Sequence, residues 1–271
     1  MILYNPNFLD NITIFTTEEK NLLDTLNKQV SLSKFLTNKS YIDKFGMDFI
    51  HTSAKIEGNT YDKNDTLTLL EYGRTAGGKR YSDAKMILNM RDVYELFIQE
   101  DLVVNKHTLK DLHYILSDEM LADNERAMPR NEEVTIKGCE YIPLATSEKL
   151  DDELNYMFAK YTMIENAFDR AIYLHCNLAY LQYFKDCNKR TARMMLNVSL
   201  KSDNKMLYIP NEERISHYLS SIVSYYETGQ YDTFKAYFIE EYKETINAIL
   251  MVENAKRQEQ KAPLRKKPYS S

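Results

Sequence analysis

The sequence predicts an all-α protein. Three observations support this class: apolar residues recur at helical spacing along most of the chain, glycine is scarce, and only one segment alternates like paired strands. The 271 residues include 7 glycines and 6 prolines. These are too few turn-forming residues for a many-stranded sandwich or barrel. The sequence also has no glycine-rich dinucleotide-binding turn. The length allows one large domain or two small ones.

The helices are predicted in chain order from their caps and apolar spacing. Thr16 and Glu19 form a capping box that begins a helix reaching about residue 36. A second helix is predicted over 40–57, because the glycine that follows can end it in the left-handed conformation. The same spacing predicts further helices near 64–73, 82–99, 106–121, 147–162, 166–184, 190–200, 210–226 and 231–257. The 166–184 helix has few polar positions, so we expect it to be central and nearly buried.

One segment, 132–143, has the pattern of a β-hairpin. Val134 and Ile136 alternate with polar residues, a Lys-Gly pair supplies the turn, and Tyr141 begins the returning strand. An isolated hairpin is only marginally stable, so it must lie on the helical body. It is either a decoration of the bundle or a functional lid.

The cysteines and the hydropathy indicate a compartment. Cys139, Cys176 and Cys187 include no C-x-x-C pair, so they predict neither a disulfide framework nor a zinc site and favour a reducing cytosol. No apolar run approaches the roughly 20 residues that span a bilayer. The N-terminus also lacks the basic and apolar regions of a signal peptide. We therefore expect a cytoplasmic protein without membrane contact.

The net charge of −5 is unevenly distributed. Residues 256–271 contain six basic residues and one acidic residue, so this end carries +5 and the remainder carries −10. An acidic body binds nucleic acid poorly, so no nucleic-acid partner is expected. The basic end, 258–271, is predicted to be a disordered tail, and contact of this tail with nucleic acid or a membrane is the alternative.

The stretch 73–80 is one residue short of a Walker A phosphate loop. It has the G-x-x-x-x-G-K spacing, but Arg80 stands where a Ser or Thr must hold magnesium. It also follows a predicted helix, whereas a Walker loop follows a strand. We interpret it as a connecting loop.

A polar stretch between two predicted helices, 182–193, has the composition of a phosphate-binding loop. Free backbone N–H groups and the helix dipole at the start of the second helix favour an anion. Arg190 and Arg193 are three residues apart and can clamp phosphate oxygens from one side. Asn188 adds a donor, and Asp186 is a carboxylate whose natural partner beside phosphates is Mg²⁺. A plain helix–helix turn with surface ion pairs is the alternative.

At these residues the chain resembles the Fic (filamentation-induced) family, whose motif is H-x-F-x-D/E-G-N-G-R-x-x-R. The matching fixed positions are Phe184, Asp186, Asn188, Arg190 and Arg193. The stretch 53–58 also resembles the inhibitory-helix motif of the family, S/T-x-x-x-E-G/N, and the expected hairpin stands where the family has its target-positioning flap, here 130–143. The resemblance spans about residues 45–205.

The resemblance implies a Fic-type helical bundle with a small β-hairpin flap that binds ATP and Mg²⁺ and transfers AMP to a hydroxyl of another protein. The target protein would add a strand along the flap at Val134 and Ile136. Asp186 would hold the metal, and Arg193 would contact either the terminal phosphate or Glu57. The nucleotide-binding residues would be Asn188, Lys189, Arg190 and Arg193, and the inhibitory residues would be Ser53 and Glu57.

Three positions depart from the family motif. Gln182 stands at the catalytic position of the histidine that acts as general base, and an amide cannot take a proton at neutral pH. Cys187 and Lys189 replace the loop glycines, and Lys189 resembles the variant in the Doc-like branch of the family. His175 lies two turns before Gln182, too far to replace the base, and is interpreted as a core residue. Slow AMP transfer, a nucleotide-binding pseudoenzyme that binds a partner through its flap, and a Doc-like kinase all remain open.

The expected organisation has four parts. An N-terminal helical extension covers 1–40, and the Fic core covers 41–205 with its inhibitory helix at 41–58. C-terminal helices cover 206–257, and the basic tail follows. The sequence leaves open whether the protein forms a homo-oligomer.

Overall fold

The computed structural model describes residues 1–136 and 138–261, and the helical class is confirmed. The helices are α1 (Thr17–Asn27), α2 (Leu32–Thr37), α3 (Lys39–Ile56), α4 (Lys63–Tyr72), α5 (Tyr81–Gln99), α6 (Lys106–Leu116), α7 (Ser147–Met163), α8 (Ala167–Leu181), α9 (Asn188–Ser202), α10 (Ile215–Thr228) and α11 (Asp232–Lys261). Short 3₁₀ turns cover Pro6–Asp10, Asp123–Glu125 and Glu212–Arg214. Two short strands, β1 (Ile2–Leu3) and β2 (Tyr141–Ile142), pair in parallel. Within the described ranges, no helix is long and apolar enough to cross a membrane.

Several helix ends form where the sequence predicts them. The capping box between Thr16 and Glu19 is present in both directions at the start of α1. α3 ends at Ile56, and Gly58 leaves it with φ +84°, a left-handed value that glycine adopts without strain. Asn166 caps α8 by accepting hydrogen bonds from two backbone N–H groups of its first turn.

Other predicted boundaries are wrong for local reasons. The first predicted helix is two helices, because Ser31 accepts a hydrogen bond from the N–H of Lys34 and caps a new start. α6 stops at Leu116 instead of continuing to 121. α8 stops at Leu181, because Gln182 turns into the left-handed conformation.

The C-terminal helices also differ from their predicted bounds. α10 begins at Ile215, after a 3₁₀ turn, instead of at Pro210. α11 continues to Lys261, four residues beyond its predicted end at 257, and disorder of the basic tail stays a prediction. Residues 262–271 lie outside the described part of the chain. The division into four parts stays a prediction.

Among the described residues of 132–143, the two strands of the predicted β-hairpin do not pair with each other. β2 pairs with the N-terminal strand β1, with Ile2 opposite Tyr141 and Leu3 opposite Ile142. In the described part of 130–143, which we call the flap arm, Val134 and Ile136 lie outside any strand. The partner of the returning strand lies at the N-terminal end of the described chain, far away in sequence. Local alternation cannot reveal such a pairing.

The centre of the bundle is the antiparallel pair α8 and α9. In α8 every side chain from 168 to 181 except Arg170 is buried, and α9 is buried throughout 190–200. α6 packs on α9, while α7 and α10 pack on α8. Each buried Leu or Phe contributes about 1.5–3 kcal/mol, so the turn that joins these two helices is anchored at both ends by well-packed helices.

Candidate active site

The turn between α8 and α9, residues 182–187, is the motif loop of the candidate site. It begins at Gln182 with φ +47° and ends at Cys187 with φ +61°, both left-handed. This conformation costs a residue with a Cβ roughly 1–2 kcal/mol. Cys187 stands at a glycine position of the motif, so this chain keeps the left-handed turn without the residue that adopts it freely. The turn brings the free N–H groups at the start of α9 to the loop.

Asn188 holds the motif loop closed. Its Oδ1 accepts a hydrogen bond from the N–H of Phe184 at 2.9 Å, and its Nδ2 donates to the carbonyl of Phe184 at 2.7 Å. The same Nδ2 donates to Oε1 of Gln182 at 3.3 Å. Asn188 therefore fixes the loop from inside, and its contact with phosphate stays a prediction.

His113 of α6 contacts the motif loop and holds it in place, a role that sequence reasoning missed. Its Nδ1 accepts a hydrogen bond from the N–H of Ala127 at 3.0 Å, so Nε2 carries the proton and donates to the carbonyl of Asp186 at 3.2 Å. The ring stacks on Phe184 with centroids 3.6 Å apart. Burial lowers the pKa of His113 to about 4, which keeps the ring neutral at physiological pH.

Asp186 presents a half-exposed carboxylate at the loop. Its Oδ1 accepts hydrogen bonds from the N–H of Cys187 at 2.5 Å and from Nη2 of Arg190 at 3.3 Å. Arg190 itself is 2% exposed, and its Nη1 lies 3.1 Å from Sδ of Met120. Arg190 therefore stands behind Asp186, and it is not among the residues that line the cleft described below.

Glu57, the residue after α3, is bound by two cations of α9. Its Oε1 accepts a hydrogen bond from Nη2 of Arg193 at 2.8 Å, and its Oε2 lies 3.0 Å from Nζ of Lys189. Burial alone would raise the pKa of this carboxyl, but the charges of Lys189, Arg193 and Arg190 outweigh burial and lower the pKa to about 2. Glu57 is therefore a carboxylate at neutral pH, with each oxygen facing a different cation.

Arg193 is fully buried and has partners besides Glu57. Its Nη2 donates to the backbone carbonyl of Ser53 at 3.0 Å, and its Nη1 donates to the hydroxyl of Tyr218 at 3.0 Å. Ser53 thus contributes its carbonyl, and its hydroxyl, buried without a hydrogen-bond partner, takes no part. Tyr218 lies on α10, and no motif pointed to it.

A cleft of about 350 Å³ lies between the motif loop, the flap arm and Glu57. Its lining residues are Glu57, Val134, Thr135, Ile136, Gln182, Lys185, Asp186, Asn188 and Lys189. Most of the predicted site residues meet here, including both predicted flap residues. Ser53, Arg190 and Arg193 lie behind the lining.

Arg130 ties the flap arm to the end of α8, and sequence reasoning missed this residue. Its Nε donates to the carbonyl of Gln182 at 2.6 Å, and its Nη1 donates to the carbonyl of Glu132 at 2.6 Å. Its own N–H donates to the carbonyl of Tyr183 at 3.0 Å. One side chain therefore sets the distance between the arm and the motif loop.

Gln182 occupies the catalytic position with an amide that is already engaged. Its Nε2 donates to the carbonyl of Ala179 at 2.7 Å, and its Oε1 accepts from Asn188. His175, two turns earlier on α8, is fully buried with its ring stacked on Phe234, so the interpretation as a core residue is confirmed. The described cleft therefore has no histidine lining it.

The donors at the cleft fit a magnesium ion that arrives with phosphates. Mg²⁺ usually takes one or two protein carboxylates and completes its shell with phosphate oxygens and water. Asp186 is such a carboxylate, half exposed and beside the N-terminus of α9. Within the described ranges, no three His, Cys, Asp or Glu side chains are grouped as a metal cage, so phosphate would have to supply the other ligands.

Comparison with known proteins identifies the domain. Residues 103–200 match the Fic/DOC family. The chain carries a Fic/DOC family domain. This Fic domain includes α6, the flap arm, α8 and the motif loop, whereas α3 with Glu57 lies outside the matched residues.

Two curated proteins named Protein adenylyltransferase fic-1 are similar to the chain over 184 residues. The protein of Caenorhabditis briggsae is 26% identical, and that of Caenorhabditis elegans is 24% identical. Each match covers 64% of this chain and 35% of the relative, so the chain spans about a third of the length of these relatives.

Solved Fic structures share the fold. A fragment of Fic-1 from C. elegans superposes with a TM-score of 0.68 at 18% identity, covering 90% of this chain and 70% of that one. A Fic family protein from Desulfovibrio desulfuricans G20 gives a TM-score of 0.73 at 14% identity, covering 92% and 78%. The Fic domain and the helices around it therefore adopt a fold seen in other Fic proteins.

Proposed function

We propose that this Fic protein binds ATP with Mg²⁺ at the cleft and transfers AMP slowly to a hydroxyl side chain of a target protein. The observation that carries the proposal is the cleft itself, where Asp186, the N-terminus of α9 and the flap arm meet beside Gln182. The family match and the adenylyltransferase relatives support the same chemistry.

Nucleotide binding would need only a few groups of the protein. The N–H groups at the start of α9 and the dipole of that helix would receive the phosphates. Asp186 would hold Mg²⁺, which neutralises phosphate charge when bound, and Arg190 would keep the Asp186 carboxylate in place. With Glu57 on Lys189, part of the space beside the loop is closed to a nucleotide.

The rate of AMP transfer would be lowered by the glutamine at position 182, Gln182. A carboxamide can orient the attacking hydroxyl by a hydrogen bond, but it cannot remove the proton. General-base catalysis is worth roughly 10²–10⁴-fold in rate, so transfer should be slower by about that factor than in a variant with histidine. The hydroxyl proton would have to leave to water.

The target would bind along the flap arm. Val134 and Ile136 line the cleft, and an extended peptide would add beside them as a strand. Arg130 fixes this segment relative to Gln182, so a docked peptide would meet the loop at a set distance. A cytoplasmic location and a homo-oligomer stay predictions.

A non-catalytic role is the second candidate, and Gln182 favours it. Its amide already bonds to Ala179 and Asn188, so it needs to break contacts before it can touch a hydroxyl. In this alternative the protein binds nucleotide and recognises its partner through the flap arm without transfer.

Labelled ATP separates these functions. The wild type, Glu57→Gly and Glu57→Gly/Gln182→His are incubated with ATP carrying label on the α- or the γ-phosphate, together with cell extract as a source of targets. We expect weak α-label on protein for Glu57→Gly and strong α-label once Gln182→His is added.

The other outcomes are equally informative. Binding of ATP without label until Gln182→His is present would establish the pseudoenzyme. Label from the γ-phosphate would mean Doc-like kinase chemistry. Failure of every variant to bind ATP would overturn the assignments of Asp186 and the motif loop.

A further inference from the structure

A second cavity, of about 320 Å³, lies between α3, the start of α4, the segment 209–213 and α11. Within the described ranges it shares no lining residue with the cleft at the motif loop. Its charged lining residues are Asp48, Glu212, Glu213, Glu244 and Lys63. This lining carries a net charge of −3, which favours a cationic ligand.

The side chain of His51 lines this cavity, and one of its ring nitrogens has no hydrogen-bond partner. His51 is 2% exposed, and its Nε2 is buried and unbonded. Oε2 of Glu212 lies 3.2 Å from this nitrogen, but off the line that a hydrogen bond requires. Buried polar atoms in proteins are nearly always paired, so an unpaired nitrogen beside a carboxylate indicates a bound ion.

The hydrogen bonds around the ring determine which nitrogen carries the proton. Oγ1 of Thr66 donates its single hydrogen to the carbonyl of Asp62 at 2.8 Å. It therefore accepts from Nδ1 of His51 at 3.0 Å, so the proton is on Nδ1. Burial lowers the pKa of His51, outweighing the nearby charge of Glu212, which keeps the ring neutral at neutral pH. Nε2 then presents a lone pair to a carboxylate oxygen, with no hydrogen between the two acceptors.

The 3.2 Å separation of these two acceptors fits a metal ion that binds both. Zn²⁺ holds nitrogen and oxygen ligands at about 2.0–2.1 Å, and its tetrahedral geometry places two of them about 3.3 Å apart. An ammonium group that donates to both acceptors would need them about 4.7 Å apart, because its hydrogen bonds are about 2.9 Å long. Imidazole is also a ligand of zinc and other transition metals, whereas Mg²⁺ and Ca²⁺ prefer oxygen.

We propose that Nε2 of His51 and the carboxylate of Glu212 bind a divalent transition metal ion. Within the described residues no three His, Cys, Asp or Glu side chains form a metal cage, so water would complete the shell of the ion. Asp48, Glu213 and Glu244 line the same cavity and attract cations to it. The ion would link α3 to the 3₁₀ turn before α10, and the proposal does not depend on the proposed function.

Titration of the full chain with Zn²⁺ tests the site. Glu212→Gln and His51→Gln should each weaken one Zn²⁺-binding event at least about tenfold, because each substitution removes one of two protein ligands. Excess Mg²⁺ should change the apparent affinity for Zn²⁺ by less than about threefold, since a nitrogen ligand discriminates against Mg²⁺. Displacement of Zn²⁺ by Mg²⁺ would mean that the acidic lining attracts any divalent ion, and it would overturn the site.

Two control variants separate this site from general attraction and from surface binding. Glu213→Gln removes the same charge from the next residue of the same cavity, and it should weaken Zn²⁺ binding by less than about threefold. His107→Ala removes an 87% exposed histidine whose Nε2 lies 3.4 Å from Asp111, and it should leave the event unchanged. Equal losses for Glu212→Gln and Glu213→Gln, or a loss for His107→Ala alone, would contradict the proposal.

The protonation state of the ring provides a readout that needs no substitution. Nitrogen-15 NMR of the wild type without metal should show a proton on Nδ1 of His51 and none on Nε2, and Zn²⁺ should shift the Nε2 resonance. A proton on Nε2 would mean an ordinary ion pair with Glu212 and would overturn the site. The side chain of Glu212 is 47% exposed, so Glu212→Gln keeps the titration decisive if His51→Gln fails to fold. Absence of Zn²⁺ binding to the wild type would also overturn the proposal.

Discussion

Glu57 keeps its charge inside the protein because two cations from α9 face it. Its folded pKa of about 2 lies below the ordinary value of 4.5. A carboxyl with a lowered pKa stabilises the fold fully above the unfolded pKa, and this stabilisation is lost as the pH falls toward the folded pKa. The pairing is therefore intact near neutral pH and weakens in acid.

Glu57→Gln should cost stability in a pH-dependent way. The shift corresponds to about 3 kcal/mol at pH 7, since each pKa unit is worth about 1.4 kcal/mol. Unfolding in guanidinium chloride should show the gap to the wild type shrinking by about 1.4 kcal/mol between pH 7 and pH 3.5. A gap that stays constant over this range would mean that the loss comes from packing and not from the charge.

Single residues also show what sequence can and cannot reveal. The sequence predicts the site residues Asp186, Asn188 and Lys189 because they lie close together on one short polar stretch between two predicted helices. Tyr218 was not found, because nothing local links it to Arg193, from which it is separated by 25 residues. The contacts of Asn188 and Arg190 inside the loop were not predicted either, because they depend on the left-handed turn at Gln182 and Cys187.

At the scale of elements, the motif loop depends on α6. His113 bridges the N–H of Ala127 and the carbonyl of Asp186, and it stacks on Phe184. One ring thereby joins α6, the segment before the flap arm and the loop. Arg130 makes the complementary link from the arm to Gln182.

His113→Ala should therefore loosen the loop. It removes two hydrogen bonds and a ring contact from a buried position, which should cost about 2–4 kcal/mol in the free energy of unfolding. ATP affinity of the Glu57→Gly chain should fall with it, because the carbonyl of Asp186 loses its donor. Chemical unfolding and calorimetry measure the two effects.

His107→Ala is the control on the same helix, because its side chain is 87% exposed. It should change stability by less than about 0.5 kcal/mol. The folded pKa of His113, about 4, lies below the ordinary 6.5, so its stabilisation is present above pH 6.5 and is lost as the pH falls toward 4. Equal effects of the two substitutions at pH 7 would contradict the bridging role.

The predicted hairpin shows why strand pairing is harder to predict than helices. Alternation around Val134 and Ile136 predicts a strand, but the structure has no strand at these two residues. The partner of Tyr141 is Ile2, at the far end of the chain. Helices carry their hydrogen bonds and many of their caps within themselves, so both ends of α3 and the start of α8 could be predicted locally.

At the scale of the whole molecule, α11 packs against the segment that follows α9. Its Glu241 is fully buried, and its Oε2 accepts a hydrogen bond from the N–H of Asn211 at 2.6 Å. Its Oε1 has no hydrogen-bond partner, and Nη1 of Arg214 lies 3.5 Å away. Burial raises the pKa of Glu241 to about 7, against the lowering effects of Asn211 and Arg214.

A carboxyl with a raised pKa favours the fold in its neutral form. Its contribution is complete below the unfolded pKa of about 4.5 and is lost as the pH rises through 7. Glu241→Gln keeps a carbonyl for Asn211 and has no charge to bury. We therefore expect the variant to gain about 2 kcal/mol relative to the wild type between pH 5 and pH 8, measured by chemical unfolding.

Glu244→Gln is the matched control for this prediction. Glu244 lies one turn further along α11 and pairs with the same Arg214, but its side chain is 50% exposed. Its substitution should leave stability within about 0.5 kcal/mol at both pH values, since exposed ion pairs contribute little. A wild type that is more stable than Glu241→Gln at pH 8 would mean that the Arg214 ion pair outweighs burial, and that α11 is held to the bundle by charge.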